Sequence, residues 1–315
     1  MSRHRASEQT GPSWPEGTEG ALAAAGLDPG WVHDVVEQAL AEDLGPRWLD
    51  VTTLATIPPE AIGKAHVVAR AAGVVAGVPL IGVIMSQTAD HLDLPAPDVR
   101  TRVADGDTVV RGDVVAEVDG PTQVLLVAER TMLNLVCRAS GIATHTARWA
   151  ERLAGSGATV LDTRKTTPGL RALEKYAVRC GGGTNKRMGL YDVAMIKDNH
   201  KLAAGSLTAA YEAVRSRFPG VDIQVEVTTA AEAEEAVGAG ARFLLCDNMS
   251  TEVLADTVRR ARAAAGEERV ELEATGGLTL QVAAEYAATG VDYLSVGGLT
   301  HSSPVLDLAM DLVTD

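Results

Sequence analysis

From Ala158 onward the sequence alternates six times between an apolar run of about four to six residues and a helical stretch of about ten to fifteen. The apolar runs are TVLDT, VAMIK, DIQVEV, RFLLC, VELEA and YLSVG. The helical stretches between them include Leu170–Val178, Leu207–Phe218, Ala230–Val237, Thr251–Ala264 and Leu280–Ala288. This alternation is the mark of parallel βαβ units, whose strands are covered by helices. A complete barrel needs eight such units in about 250 residues, so six predict an α/β fold with an incomplete (β/α) barrel.

The residues before this repeat read differently. Trp31–Leu44 places Val32, Val35, Val36, Ala39, Leu40 and Leu44 at helical spacing, which predicts an amphipathic helix. Ala65–Val118 turns to short β-rich runs around DGDTVVRGD, whose Gly and Asp suit tight turns. Biotinyl and lipoyl carriers carry a similar hairpin, but no lysine stands at its tip here. A helix rich in Leu and Ala follows over Gln123–Leu153. Ala71–Ala89 carries no charge, yet its glycines, Pro79 and polar end predict a buried strand, turn and helix rather than a membrane span.

With 42 acidic against 28 basic side chains the net charge is −14, which disfavours nucleic acid and anionic membrane partners. Any anion must be held locally. Aromatics make up only 3%, so Ala, Val and Leu must build the core. The three cysteines form no C-x-x-C pair, which suits a reducing cytoplasm rather than a disulfide or zinc framework. Residues 1–20 are rich in Ser, Pro, Gly and charge, lack an apolar signal core and read as a disordered arm.

Charge is unevenly spread. Between Ala128 and Lys201 there are 13 Lys or Arg against six Asp or Glu. Arg148, Arg152, Arg171 and Lys175 read as a solvated helix face. The rest cluster where strands end. Asp162, Arg164 and Lys165 come from the end of the first run; Lys197, Asp198 and Asn199 from the second; Glu226 from the third; Asp247 and Asn248 from the fourth; Thr275 from the fifth. In parallel barrels the strand C-termini share one face, which carries the active site. Two similar segments, TGGLTLQ and VGGLTHS, end the last two strands and read as a phosphate cradle, since paired glycines and a helix N-terminus present N–H groups to an anion. Glu226 and Asp247 beside such a cradle imply a bridging Mg²⁺ or sugar hydroxyls.

The segments AERTMLNLVCRASGIAT, LDTRKTTPGLRALEKYAVRCGGGTNKRMGLYD, MIKDNH, VEV, Asp247-Asn248, EATGGLT and VGGLTHS occur in the order and spacing of the quinolinate phosphoribosyltransferases, and EDLGPRWLDVTT resembles that family's opening. The resemblance implies an N-terminal α/β sandwich over 21–133, joined by a C-terminal helix over 302–315, and an incomplete α/β barrel over 134–301. It also implies transfer of phosphoribosyl from phosphoribosyl pyrophosphate to quinolinate with loss of CO2, giving nicotinate mononucleotide and pyrophosphate for NAD synthesis. By matched position Arg130, Arg164 and Arg187 resemble the quinolinate carboxylate ligands. Arg130 would come from the partner of a homodimer, which could assemble further. Thr163, Lys165, Lys186 and Lys197 resemble further substrate ligands. Lys165, Lys197, Glu226 and Asp247 carry the family's catalytic positions, Glu226 and Asp247 those near Mg²⁺ and the ribose. Thr275, Gly276, Gly277, Gly297, Gly298 and His301 match its phosphate loops.

The chain departs from the family pattern at three places: Lys186 where His is usual, Thr275 where Ser is usual, and Gly297-Gly298 where Gly-Ala is usual. Lys186 matters most, because a hydrated ammonium on a flexible stem replaces an imidazole beside a substrate carboxylate. A paralogue that takes another pyridine carboxylate is the alternative reading. A Schiff-base aldolase using Lys165 or Lys197 would need an apolar pocket, which this cationic mouth does not offer. A non-catalytic transport-associated relative would lack the KDNH segment, intact here as Lys197–His200.

Overall fold

The computed structural model describes Trp14 and residues 17–313, which divide into two units: the chain up to Thr144 together with Pro304 onward, and His145–Ser303. The arm expected over 1–20 lies outside the described residues except for Trp14 and 17–20. There it is corrected, because helix α1 (Thr18–Ala24) has begun and buries Leu22 completely. Helix α2 (Pro29–Leu44) starts on Asp28, whose side chain accepts from the Trp31 N–H at 2.8 Å, with Pro29 in the first turn. Val32, Val36, Leu40 and Leu44 recur every fourth residue and are all buried. Helix α3 (Val51–Thr56) is capped in the same way by Asp50.

Strands β1 (Ile62–Ala69) and β2 (Gly73–Val74) precede helix α4 (Pro79–Leu92), so the uncharged stretch does fold as strand, turn and helix. Among the described residues no helix is long and apolar enough to cross a membrane. Then come β3 (Asp98–Thr101), β4 (Thr108–Val109) and β5 (Val114–Pro121), with β5 antiparallel between β1 and β3. In DGDTVVRGD, Asp107 accepts from the Ala104 N–H and Asp113 from the Val110 N–H, each at 2.8 Å, which closes two tight turns.

Helix α5 (Thr122–Leu153) runs through the point expected as a domain boundary. The division falls later, between Thr144 and His145, because α5 is tied to the first unit over several turns. Ser140 Oγ accepts from the Ala76 N–H at 3.0 Å and Thr144 Oγ1 from the Val74 N–H at 2.9 Å.

The second unit contains β6 (Thr159–Leu161), α6 (Arg171–Cys180), β7 (Val193–Ile196), α7 (Asp198–Ala204), α8 (Leu207–Arg217), β8 (Asp222–Val227), α9 (Ala230–Ala239), β9 (Phe243–Asp247), α10 (Thr251–Ala265), β10 (Glu271–Thr275), α11 (Ala283–Ala287), β11 (Tyr293–Ser295) and α12 (Gly298–His301). Its six strands form one parallel sheet in the order β6-β11-β10-β9-β8-β7. The first two strands in sequence thus stand at opposite ends of the sheet, and Thr184 bridges β6 at the first of them. This is the incomplete barrel that six units predict. Ser206, Thr229 and Ser250 cap α8, α9 and α10 by accepting a backbone N–H of the first turn.

The C-terminal helix expected over 302–315 is corrected: residues 308–313 form strand β12 (Leu308–Val313), antiparallel to β1 in the first unit. Strand β1 has a free edge opposite β5, and six register pairs from Lys64↔Val313 to Ala69↔Leu308 satisfy it. A helix here would leave those backbone groups without partners. Leu308 and Met310, two apart, point to the buried side.

Candidate active site

Because the six strands are parallel, their C-termini share one end, and a cavity of about 940 Å³ opens there within the second unit. Thr163, Arg164, Lys165, Lys186, Arg187, Lys197, Glu226, Asp247, Thr275, Gly276, Gly277, Gly297, Gly298 and His301 all line it. Arg130 does not; it is an exposed residue of α5 in the first unit.

Under the strand-end residues lies a floor that the sequence reading missed. Side chains two apart on a strand share a face, and Met195, Leu245, Glu273 and Ser295 line the cavity two positions before Lys197, Asp247, Thr275 and Gly297. Alternation alone would have found Glu273, since Glu273 and Thr275 sit on one side of VELEAT. Glu273 is completely buried, and Lys186 reaches it from the loop after α6. The Lys186 side chain is 7% exposed, and its ammonium donates to Glu273 Oε1 at 2.6 Å and stands 2.6 Å from Oε2. The stem of Lys186 is therefore anchored, not flexible. Burial pushes its pKa down, and Glu273 opposes that shift.

Asp162 was expected at the mouth but is sealed away from solvent. It is the hub that positions the mouth. Its carboxylate forms an ion pair with Lys175, accepts from Asn185 Nδ2 at 2.7 Å and accepts from the Lys186 N–H at 2.8 Å. Lys175 also donates to the Lys186 carbonyl at 2.9 Å. Lys175 is thus no member of a solvated helix face: it is fully buried, because the segment carrying Lys186 and Arg187 needs an internal anchor. Arg171 is likewise engaged, donating to Thr166 Oγ1 at 3.0 Å, the Met188 carbonyl at 3.0 Å and the Arg164 carbonyl at 3.4 Å. Asp192 secures the next turn, accepting from the Met188 N–H at 2.6 Å and the Gly189 N–H at 3.1 Å. Burial would raise the Asp192 pKa, but these backbone donors bring it below the ordinary carboxylate value.

Charges in the mouth are only partly balanced. Lys197 donates to Glu226 Oε2 at 3.1 Å, with the lysine half-exposed and the carboxylate largely covered. Lys201 pairs with Asp198 at 2.7 Å and donates to the Glu226 carbonyl at 3.1 Å, which fixes the start of α7 against β8. Among the described residues, Arg164, Lys165 and Arg187 have no carboxylate within ion-pair distance. Burial and then the neighbouring Arg164 push the Arg187 pKa down, as expected of two guanidiniums awaiting a shared anion. Burial and then Glu226 raise the Asp247 pKa, so these two carboxylates repel each other. No three His, Cys, Asp or Glu residues cluster as a complete metal cage among the described residues. Glu226 and Asp247 are the two carboxylates of the mouth that could hold a hard cation such as Mg²⁺, which favours oxygen ligands.

The two glycine segments differ in build. Gly298 opens α12 directly after Gly297, whereas α11 begins only at Ala283, well beyond Gly276-Gly277. The expected helix N-terminus therefore follows only one of them. A Cβ on Gly297 would lie 3.0 Å from Lys165 Cδ, so glycine there leaves room for that lysine. Gly276 has φ 99° and sits against the backbone of Asn248, a place for a residue without Cβ. Two further cavity residues, His145 and Trp149, lie one turn apart on α5. Trp149 Nε1 donates to His145 Nε2 at 3.3 Å, His145 Nδ1 faces Ser303 Oγ at 2.8 Å, and Ser303 donates to the Leu299 carbonyl at 2.6 Å. Burial pushes the His145 pKa down, in keeping with this neutral tautomer.

Comparison with known proteins agrees with this geometry. The family models for the N-terminal and C-terminal domains of quinolinate phosphoribosyl transferase match residues 50–140 and 142–311. A nicotinate-nucleotide pyrophosphorylase [carboxylating] of Mycobacterium leprae is 44% identical over 281 residues, covering 89% of this chain and 96% of its own. A probable enzyme of the same name from Bacillus subtilis is 43% identical over 250 residues, covering 79% and 83%. The crystal structure of NadC from Streptococcus pyogenes superposes with a TM-score of 0.84 at 36% identity, covering 91% of this chain and 98% of its own.

Proposed function

This chain belongs to the quinolinate phosphoribosyltransferase family, and we propose that it performs that family's reaction in the strand-end cavity of its second unit. It is a decarboxylating pentosyltransferase: phosphoribosyl passes from phosphoribosyl pyrophosphate to the ring nitrogen of quinolinate, and pyrophosphate and CO2 leave. The observation that carries the site assignment is the set of three cations, Arg164, Lys165 and Arg187, facing one cavity with no carboxylate partner among the described residues. A pyridine dicarboxylate and a diphosphate supply the missing anions.

In this reading Arg164 and Arg187 take the quinolinate carboxylates, with Arg130 added from the partner of a homodimer. The segments at Gly276-Gly277 and Gly297-Gly298, with Thr275 and His301, receive the 5-phosphate of the ribose. Lys165 and Lys197 face the diphosphate. Glu226 and Asp247 face the ribose hydroxyls and would hold Mg²⁺, which when bound supplies charge neutralisation for the departing diphosphate.

Bond breaking at C1 leaves positive charge on the ribose, so orientation and leaving-group stabilisation supply most of the acceleration. The pyridine lone pair is free and needs no general base. After attack the ring nitrogen is cationic. Its positive charge stabilises the electron pair that stays on C2 when the adjacent carboxylate departs as CO2, and that pair then takes a proton from solvent. A Schiff-base role for Lys197 is disfavoured by its contact with Glu226. We place the protein in a reducing cytoplasm, in keeping with Cys137, Cys180 and Cys246, which form no disulfide among the described residues. Release of labelled CO2 from quinolinate, dependent on phosphoribosyl pyrophosphate and Mg²⁺, tests the function. Pyrophosphate release with a different pyridine carboxylate and none with quinolinate would overturn the substrate.

A further inference from the structure

The cavity floor holds one charged group that no strand-end role explains. Glu273 lies on β10, fully out of solvent, between the levels of Leu245 and Tyr293 on the adjoining strands. A carboxylate in such a place is costly unless it meets a cation. The cation it meets, Lys186, comes from a loop 87 residues earlier in the chain. Among the described residues Glu273 Oε2 has no hydrogen-bond partner and only the ion contact with the Lys186 ammonium at 2.6 Å. The pair is therefore held by its own contact.

Lysine carries a compact charge on four rotatable carbons, and alone it orients a planar ligand poorly. Here burial and the contact with both carboxylate oxygens remove that freedom. One ammonium hydrogen is spent on Glu273 Oε1, and the lysine still borders the cavity. The pair adds no net charge to the mouth, so Arg164, Lys165 and Arg187 remain the cations there without a carboxylate partner among the described residues.

We propose that Glu273 is the positioning residue of the pyridine subsite, holding the Lys186 ammonium as a fixed, charge-compensated donor to one carboxylate of a pyridine dicarboxylate. The inference rests on the quinolinate reading above. Glu273 touches no substrate and acts only through Lys186. Removing it frees the ammonium to move and adds a net charge to the subsite, while the phosphate loops and the Glu226–Asp247 side are left as they are.

Calorimetric titration of the whole protein with quinolinate, and separately with Mg²⁺-phosphoribosyl pyrophosphate, tests this. The variants are Glu273→Gln, Glu273→Asp, Lys186→Met and the double Glu273→Gln/Lys186→Met, each checked for cooperative thermal unfolding. Glu273→Gln and Glu273→Asp should each weaken quinolinate about tenfold or more and leave phosphoribosyl pyrophosphate within about threefold. In the Lys186→Met background, Glu273→Gln should change quinolinate binding by less than about twofold, because the residue it acts through is gone. Glu273→Asp keeps the charge but draws the anchor back, and it carries the test if Glu273→Gln fails to fold. Equal losses for both ligands, wild-type affinity in Glu273→Asp, or an undiminished effect of Glu273→Gln beside Lys186→Met would overturn the inference. Wild-type protein that binds phosphoribosyl pyrophosphate but not quinolinate would instead bring down the functional reading, and this inference with it.

Discussion

Lys175 and Asp162 form an ion pair with neither side chain exposed to solvent, and the same carboxylate holds the backbone N–H of Lys186. Removing one member leaves the other charged and buried. Lys175→Met should therefore destabilise the protein by about 3–5 kcal/mol, read as a lower urea midpoint. The double variant Lys175→Met/Asp162→Leu should recover much of that loss in stability and little of the activity, because the loop carrying Lys186 and Arg187 loses its anchor. A single variant as stable as wild type would sink this account of the hub.

Glu226 and Asp247 should serve the ribose diphosphate rather than the pyridine. Asp247→Asn and Glu226→Gln are expected to weaken Mg²⁺-phosphoribosyl pyrophosphate about tenfold or more with a far smaller effect on quinolinate. Calorimetry with each ligand decides, and equal losses for both would refute the division.

Arg130 should act across a subunit interface. Arg130→Ala and Lys197→Ala, each inactive alone, should regain activity when mixed under conditions that exchange subunits, because a hybrid dimer contains one intact site. Failure to complement after verified exchange counts against the shared site.

The His145 relay sets a pH dependence. Burial, and then Arg148, depress the folded pKa below the ordinary value of 6.5. Between those two values the unfolded chain binds more protons, so stability rises with pH there and is lost as pH falls through the window. Wild type should lose Tm between pH 7 and pH 5, and His145→Gln should lose less over the same range. Parallel curves for the two proteins would show that His145 is not the group responsible.

Gly141 faces the returning C-terminal segment within the first unit. A Cβ there would run into the Pro304 carbonyl oxygen, so Gly141→Ala must displace backbone. About 1–3 kcal/mol of stability should be lost in denaturant unfolding, although alanine has the higher helix propensity. An unchanged midpoint would mean that the segment shifts freely.

The barrel is legible because its signal is periodic: VAMIK ends on Lys197, DIQVEV carries Glu226 one residue before its end, and RFLLC is followed at once by Asp247. What could not be read was pairing across the sequence. Lys175 looks like a surface lysine on an amphipathic helix, and only the fold brings Asp162 beside it. Lys186 looks like a mobile ammonium in the sequence, because its partner Glu273 lies in the interior of a strand and not among the strand-end residues. The final segment fails for a related reason. LDLAMDLV satisfies either period, and the free edge of β1, some 240 residues earlier, decides for a strand.

That last pairing has a consequence for the order of events on the ribosome. Strand β1 is among the first elements synthesised, yet one of its two neighbours, β12, is among the last. The N-terminal sheet must wait, with one edge open, through synthesis of all six barrel strands. Closing so long a loop is slow, and an open edge invites pairing with another nascent chain. The barrel, contiguous over His145–Ser303, needs no such wait and is free to fold first.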